Sequence, residues 1–296
     1  MLKNFIRAVR LPFILASLLP FVFGSLVVKA GFNLAGFIYG LLAVAATHLS
    51  ANLINDYADG GSGADWQDRK FYKFFGGSKL IQEKVLPEKF YLHAAVFFAL
   101  IAVLSVILLA LVLRRFWIIG LYPAVMILSW SYSAKPLQFS YHCWGELFIF
   151  ILFGPLPVVG GYFIQSGIFW DLKIFLLSLP FGFLTTAILF ANEVPDYGDD
   201  KKAGKLTWVS IFGPQRAFLV YYLLIGLAFS AILWNIASGY LSAWALFSFL
   251  LVFPAHRAAL ILKKYPADKM RLVESSKLTI TVQSLVGIVL TIGAIL

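Results

Sequence analysis

The sequence predicts an all-α integral membrane protein with about nine transmembrane helices. Three observations carry this. Hydrophobic residues make up 61% of the 296 residues and charged residues 13%, more apolar than a water-soluble globule, where about half is usual. The apolar residues gather in repeated runs that reach the roughly 18–20 residues a helix needs to cross a bilayer. The 24 Lys and Arg residues are divided unevenly between alternate connections, as the positive-inside rule requires of a multi-pass chain.

In order, the predicted spans are 11–29, 34–55, 92–113, 116–133, 144–165, 172–193, 217–237, 240–262 and 277–296. The first follows a basic start and is long enough to be a span rather than the core of a cleaved signal. The second and sixth run straight into acidic segments. Arg114 and Arg115 separate the third from the fourth. With the N-terminus on one side, the connections on that side (1–10, 56–91, 134–143, 194–216 and 257–277) hold 20 Lys and Arg, against 4 on the other (Lys29, Arg114, Arg115 and Lys173). The first side is therefore expected to be cytoplasmic, at a cell inner membrane. It also carries the long connections, so the working face is expected there. The whole of 1–296 reads as one domain. The net charge of +10 fits loop bias and an anionic ligand, with the lipid bilayer as partner and no nucleic acid. A single cysteine, Cys143, excludes an intrachain disulfide and a Cys-based metal site.

Two acidic octets stand out in so uncharged a chain. Asn52-Leu-Ile-Asn-Asp-Tyr-Ala-Asp59 and Asn192-Glu-Val-Pro-Asp-Tyr-Gly-Asp199 share the pattern N-x-x-x-D-Y-small-D, 140 positions apart. Helical spacing pairs Asn52 with Asp56 and Asn55 with Asp59. In the second octet Asn192, Asp196 and Asp200 follow the same spacing, but Pro195 is expected to break the helix and leave Asp199 and Asp200 on a loop. Acids at a helix C-terminus repel the dipole and one another, so a divalent cation is expected to neutralise them. All-oxygen donors suit Mg2+. One octet alone is as readily a set of interfacial acids; two of them on one predicted face point to two halves of a site.

Basic residues follow each set: Arg69, Lys70, Lys73 and Lys79, then Lys201, Lys202 and Lys205. Most of them satisfy loop bias and nothing more. Lys79, Lys202 and Lys205 are singled out because Gly76-Gly77 and Gly204 beside them suit close backbone approach to an anion. Mg2+ with lysines is the usual means of stabilising charge on a phosphate leaving group. The run Gly60-Gly-Ser-Gly63 lacks the lysine of a P-loop. Most of the aromatic residues, 17% of the chain, are expected to face lipid or its interfaces. Tyr57, Tyr132 and Tyr197 are the candidates for a pocket in which aromatic faces stabilise a carbocation. The four histidines share no metal-ligand spacing, although His48 lies on the helical face of Asn52. Glu146 is either a base or an acid favoured by a helix N-terminus.

These segments resemble a known family. Residues 52–65, NLINDYADGGSGAD, are similar to the first aspartate-rich motif of the UbiA superfamily of intramembrane prenyltransferases, and residues 192–207, NEVPDYGDDKKAGKLT, to the second. Residues 132–136, YSAKP, resemble a family loop that carries a tyrosine and a lysine, with Lys135 three rather than four residues after Tyr132. Arg10-Leu-Pro12 resembles the entry to the family's first helix. The likeness spans essentially the whole chain. The form N-D-Y-x-D, then S-G-x-D, then Gly-Gly-Ser-Lys79 is most similar to 1,4-dihydroxy-2-naphthoate prenyltransferases of menaquinone synthesis. Gly63 stands where 4-hydroxybenzoate enzymes tend to have Asp, and their downstream N-R-P-L is absent.

The resemblance implies a central cavity open to the cytoplasmic face and the bilayer. It implies Mg2+-dependent transfer from an allylic polyprenyl diphosphate to an aromatic small-molecule acceptor. Asp56, Asp59, Asp196 and Asp200 would bind the metal. Asn52, Asn55 and Asn192 would support metal or phosphate, and Arg10, Asp65, Lys79, Lys202 and Lys205 would complete the diphosphate site, with Lys135 and Tyr132 beside the reacting centre. The C–O bond would ionise to an allylic cation. The ring would attack it and lose a proton, or a proton and CO2 in the naphthoate case, in a water-poor pocket. Transfer to 4-hydroxybenzoate, a homogentisate-type ring or a lipid-like alcohol would use the same chemistry. A cation-coupled transporter would place its acids near helix midpoints, whereas these lie at helix ends beside lysines. A CDP-alcohol phosphotransferase would need a D-G-x-x-A-R pattern, which Asp59-Gly60 does not begin.

Overall fold

The computed structural model describes residues 2–29 and 31–296. The described chain is helical, and its one β-contact is an isolated bridge between His142 and Leu206. The helices are α1 (Leu2–Ala8), α2 (Leu15–Leu26), α3 (Leu34–Ser62), α4 (Glu88–Leu113), α5 (Trp117–Ser131), α6 (Gly145–Phe153), α7 (Pro155–Ser166), α8 (Leu172–Lys202), α9 (Trp208–Phe212), α10 (Ala217–Ala237), α11 (Val252–Lys264) and α12 (Lys269–Ile295).

Their starts follow capping chemistry. The side chains of Asn33, Asp171 and Asp268 accept from backbone N–H groups in the first turns of α3, α8 and α12, which satisfies donors that a helix start leaves open. α3 ends at Gly63, whose φ of 89° suits a residue without a Cβ.

Seven helical stretches are long and apolar enough to cross a membrane, with α6 and α7 counted together and the 3-10 segment Ala243–Leu251 joined to α11. α1 and Leu11–Leu26 make an eighth if their 52° bend lies within one span. The bend falls at Arg10, which takes a left-handed φ of 50°, just before Pro12. The remaining predicted span, 116–133, is α5. Its 15 residues rise only about 22 Å, short of the roughly 30 Å of a hydrocarbon core. Among the described residues, length and composition alone support seven spans, or eight with the bent pair, and do not establish the ninth.

Two helices outrun their predicted ends. α3 continues past residue 55 to Ser62 and takes the whole first octet with it. α8 does not break at Pro195 but runs through Pro180 and Pro195 to Lys202. A proline removes one donor and crowds the carbonyl four residues back. Pro195 is buried, and α8 packs against α6, α7, α10 and α12. That packing outweighs the loss of one helical bond, and Asp196 and Asp200 therefore stay one turn apart on a single helix.

α8 forms the centre of the largest buried cluster, with Phe181, Leu184, Phe190 and Val194 against Tyr221, Ile225 and Val286. α2 and α7 meet at small residues: a Cβ on Gly24 would overlap the Val158 carbonyl, and one on Gly161 the Phe21 carbonyl. Such contacts let helix backbones approach closely without relying on a hydrophobic drive between them. A smaller cluster packs Leu80 and Ile81 of the α3–α4 connection against Leu53, Ile54 and Tyr91. This cluster anchors that connection against α3 and the start of α4.

Candidate active site

A cavity of about 390 Å³ runs between α3 and α8 and is closed by α2, α4, α5, α6 and α7. Each of the two main walls is one helical stripe. α3 contributes Gly40, Ala43, Val44, Thr47, His48, Ala51, Asn52, Asn55 and Asp59, and α8 contributes Thr185, Ile188, Leu189, Asn192, Glu193, Asp196, Asp199 and Asp200. Steps of three and four keep these side chains on one face. The acids come last on both helices, so the cavity has a charged mouth and an apolar depth lined by Phe21, Val106, Leu109, Leu152 and Ile164.

The mouth is knitted together by residues distant in sequence. Gly76 N–H donates to Asp196 Oδ2 at 2.9 Å and Ser78 N–H to Asp56 Oδ2 at 3.1 Å. One short stretch of the α3–α4 connection therefore touches both octets. Lys79, buried, donates to the Asp65 carbonyl at 2.8 Å and to Asp65 Oδ1 at 3.0 Å. Gly77, with φ of 74°, lies where any Cβ would strike the Asp65 carboxylate. The Asp65 carboxyl is pushed up to about 6, first by burial and next by the Asp59 charge, against the pull of Lys79.

Lys205 Nζ lies 3.7 Å from Asp59 Oδ2 and 3.7 Å from Asp200 Oδ1, which joins the two octets. Burial works against its charge, but Asp200 and Asp59 more than offset this and hold the ammonium well above its ordinary range. Its loop is set by paired backbone bonds, Cys143 N–H to the Leu206 carbonyl at 2.8 Å and Leu206 N–H to the Tyr141 carbonyl at 3.3 Å. Tyr141 then donates to Asp59 Oδ1 at 2.9 Å. Asn55 Nδ2 reaches Ser133 Oγ at 2.5 Å and Asp59 Oδ2 at 3.3 Å, and Asn52 Nδ2 donates to the Val9 carbonyl at 3.0 Å.

The expected site residues separate into groups. Asp59, Asp65, Asp196, Asp200, Asn52, Asn55, Asn192, Arg10, Lys79, Lys205 and Tyr132 all line the cavity. Asp56 is buried, but its two oxygens are taken by Arg10 and the Ser78 amide, and it is not among the lining residues. Lys135 and Lys202 are exposed and outside the lining. Lys135 sits beyond the end of α5 and Lys202 on the last turn of α8, where both side chains are exposed. Tyr57 and Tyr197 pack into the clusters beside α4 and α10 instead. Each directly follows an octet aspartate, and successive helix residues point about 100° apart.

The sequence reading missed several participants. Tyr141 and Ser78 sit in irregular connections, where no period marks them. Lys269 donates to Asp68 Oδ2 at 2.9 Å and Asp199 Oδ2 at 2.7 Å, tying α12 to the mouth from 70 residues away. Glu193 had a usable signal, since it falls on the same helical stripe as Asn192 and Asp196. Glu146, at the start of α6, accepts from Trp208 N–H at 2.5 Å. Among the described residues no three His, Cys, Asp or Glu side chains are already gathered into a metal cage.

Comparison with known proteins agrees with this fold. A 1,4-dihydroxy-2-naphthoate octaprenyltransferase of Mycobacterium tuberculosis is 30% identical over 188 residues, 63% of this chain and 62% of that protein. The match thus spans about three fifths of the length of that relative. A Bacillus subtilis protein of the same name is 24% identical over 95% of this chain and 88% of its own. Among solved structures, a UbiA homologue from Aeropyrum pernix aligns with a TM-score of 0.67 at 18% identity, over 95% of both chains. One from Archaeoglobus fulgidus, bound to GPP and Mg2+, aligns at 0.58 and 15% identity over 97% of this chain and 99% of that one. These two likenesses speak to the fold. The model of the UbiA prenyltransferase family matches residues 17–280, nearly the whole chain, and this protein therefore belongs to that family.

Proposed function

We propose that the chain transfers a polyprenyl group from an allylic polyprenyl diphosphate to a hydroxylated aromatic ring, with 1,4-dihydroxy-2-naphthoate as the acceptor. The observation that carries this reading is the change of lining along one cavity, from carboxylates and a lysine at the mouth to hydrocarbon in the depth. That gradient suits a ligand with an ionic head and a long apolar tail. The naphthoate assignment is supported by the two bacterial relatives. The Lys and Arg asymmetry between connections supports a mouth on the cytoplasmic side.

Asp59, Asp196 and Asp200, with the unpartnered Oδ1 of Asn192, offer an all-oxygen donor set that fits Mg2+. They would hold it together with phosphate oxygens and water. When bound, Mg2+ offsets the charge that builds on a departing diphosphate. The rest falls to the chain's own groups. Lys205 presents a fixed positive charge to the leaving oxygens. Lys79 and Arg10, already paired with Asp65 and Asp56, set the charge balance of the mouth. The Tyr132 ring gives the allylic cation an aromatic face, and the apolar walls exclude water that would quench it. The C–O bond breaks with its electron pair leaving on the diphosphate. A ring carbon supplies the pair for the new C–C bond, and the ring then loses a proton, or a proton and CO2 with the naphthoate.

The test is incubation of the purified protein with Mg2+, a labelled polyprenyl diphosphate and a panel of acceptors: 1,4-dihydroxy-2-naphthoate, 4-hydroxybenzoate, homogentisate and a lipid-like alcohol. The expected result is a prenylated, decarboxylated naphthoate product. Product from another ring alone would overturn the acceptor, and no product from any acceptor would overturn the reaction.

A further inference from the structure

The cavity holds buried polar atoms that diphosphate chemistry does not use. Glu193 is 6% exposed, lines the cavity, and its Oε2 has no hydrogen-bond partner. Deeper in, Thr185 Oγ1 is also unpartnered, as is His48 Nε2, whose ring is fixed by Ser17 Oγ to Nδ1 at 2.9 Å. Burying such an atom without a partner costs about 1–3 kcal/mol. Several of them in one cavity indicate a ligand with hydrogen-bonding groups.

A prenyl tail offers no hydrogen bond, so it does not account for Glu193. A diphosphate does not either, because carboxylate and phosphate repel. Glu193 lies seven residues from Asp200 on α8, about 10 Å further inward, next to Asn192. It is therefore inward of the Asp200–Lys205 pair, on the way to the apolar depth. Ile149, Leu152, Leu189 and Tyr132 line the same cavity, and Tyr132 is close enough to feel the Glu193 charge. Glu146 lies against Glu193 and is itself engaged by the Trp208 amide, so the Glu193 side chain has a fixed neighbour on one side and the cavity on the other.

We propose that Glu193 is the acceptor-binding residue, its carboxyl taking a hydrogen bond from a ring hydroxyl and holding the ring against the allylic carbon. This rests on the prenyltransferase reading above. It makes Glu193 a specificity determinant for hydroxylated rings: a site built around a hydrogen bond rejects an analogue lacking the donor much more strongly than an apolar pocket rejects a change of shape.

The test is steady-state kinetics on the full-length protein in detergent, with KM measured separately for acceptor and diphosphate, in wild type, Glu193→Gln and Glu193→Ala. Each is also assayed with an acceptor whose hydroxyl is methylated. Glu193→Ala is expected to raise the acceptor KM by about tenfold or more while the diphosphate KM moves less than about twofold. The methylated acceptor should be as poor for wild type as the free phenol is for Glu193→Ala, and no poorer for the variant. Glu193→Gln keeps the side-chain volume, so a folded Gln variant with a raised acceptor KM supports the proposal even if Ala fails to fold. An unchanged acceptor KM in a folded variant overturns it. So does a matching rise in the diphosphate KM or a shifted Mg2+ requirement, either of which would put Glu193 on the leaving group. Failure of the wild type to prenylate any ring overturns the reading beneath it as well; an active wild type indifferent to Glu193 overturns this inference alone.

Discussion

The octets on α3 and α8 share one spacing, and the fold uses them differently. On α3, Asp56 turns from the cavity to Arg10 and the Ser78 amide, and only Asp59 faces the mouth. On α8, Asp196, Asp199 and Asp200 all line the mouth, and Asp196 is met by a single loop amide. The first octet is therefore half anchor and half site, and the second is almost wholly site. The difference comes from what each helix is packed beside. α3 lies next to the basic bend at Arg10, which supplies a cation to its first aspartate, whereas among the described residues no Lys or Arg forms a salt bridge with Asp196, the nearby Lys269 pairing with Asp68 and Asp199. Identical spacing on two helices does not give identical roles when the neighbours differ.

The sharpest break of this comparison is a matched pair. Asp196→Asn is expected to lower prenyl transfer by about two to three orders of magnitude with an unchanged thermal midpoint. Asp56→Asn should instead lose stability, by about 3 kcal/mol, because Arg10 is left without its buried partner. Transfer assays and thermal unfolding of both variants decide it, and equal midpoints would remove the anchoring role of Asp56. Next in size is Lys205→Ala, expected to raise the diphosphate KM by about tenfold or more through loss of a charge-assisted contact. Lys202→Ala, three residues away and exposed, should change it less than about twofold.

Gly77→Ala probes the loop that clamps the two octets. A side chain at φ of 74° costs about 1–2 kcal/mol, and its Cβ would also displace the Asp65 carboxylate. A midpoint equal to wild type would show that the loop yields freely. The smallest effect concerns pH. Asp65 binds its proton more tightly in the folded chain, near 6, than at its ordinary 3.8. Its contribution to stability is thus fully present below about 3.8 and is lost as pH rises through about 6. Asp65→Asn should flatten that part of the stability profile; an identical slope in wild type and variant would show that the proton is not linked to folding.

Much of this site was legible in the residues. The octets, the two glycines before Lys79 and the lysine at 205 stand at spacings that the cavity uses. Lys135 and Lys202 were not separable from Lys205 by spacing, because loops have no period to say which side chain turns inward. Pro195 misled for the opposite reason: its local preference is real, but α8 is packed on several sides and the helix continues. Asp56 looked equivalent to Asp196 because the partner that distinguishes them, Arg10, is 46 positions away.

Composition, run length and charge bias were enough to establish a helical membrane protein, and the repeated octet was enough to mark the two helix ends that meet at the cavity. These are properties of single segments, set by transfer from water to lipid and by helical periodicity. The span count, the continuity of α8, the pairing of Asp56 with Arg10 and the free oxygen of Glu193 depended on which segments meet. Burial and hydrogen bonding in those places are shared between residues far apart in the chain, so only the packed molecule could settle them.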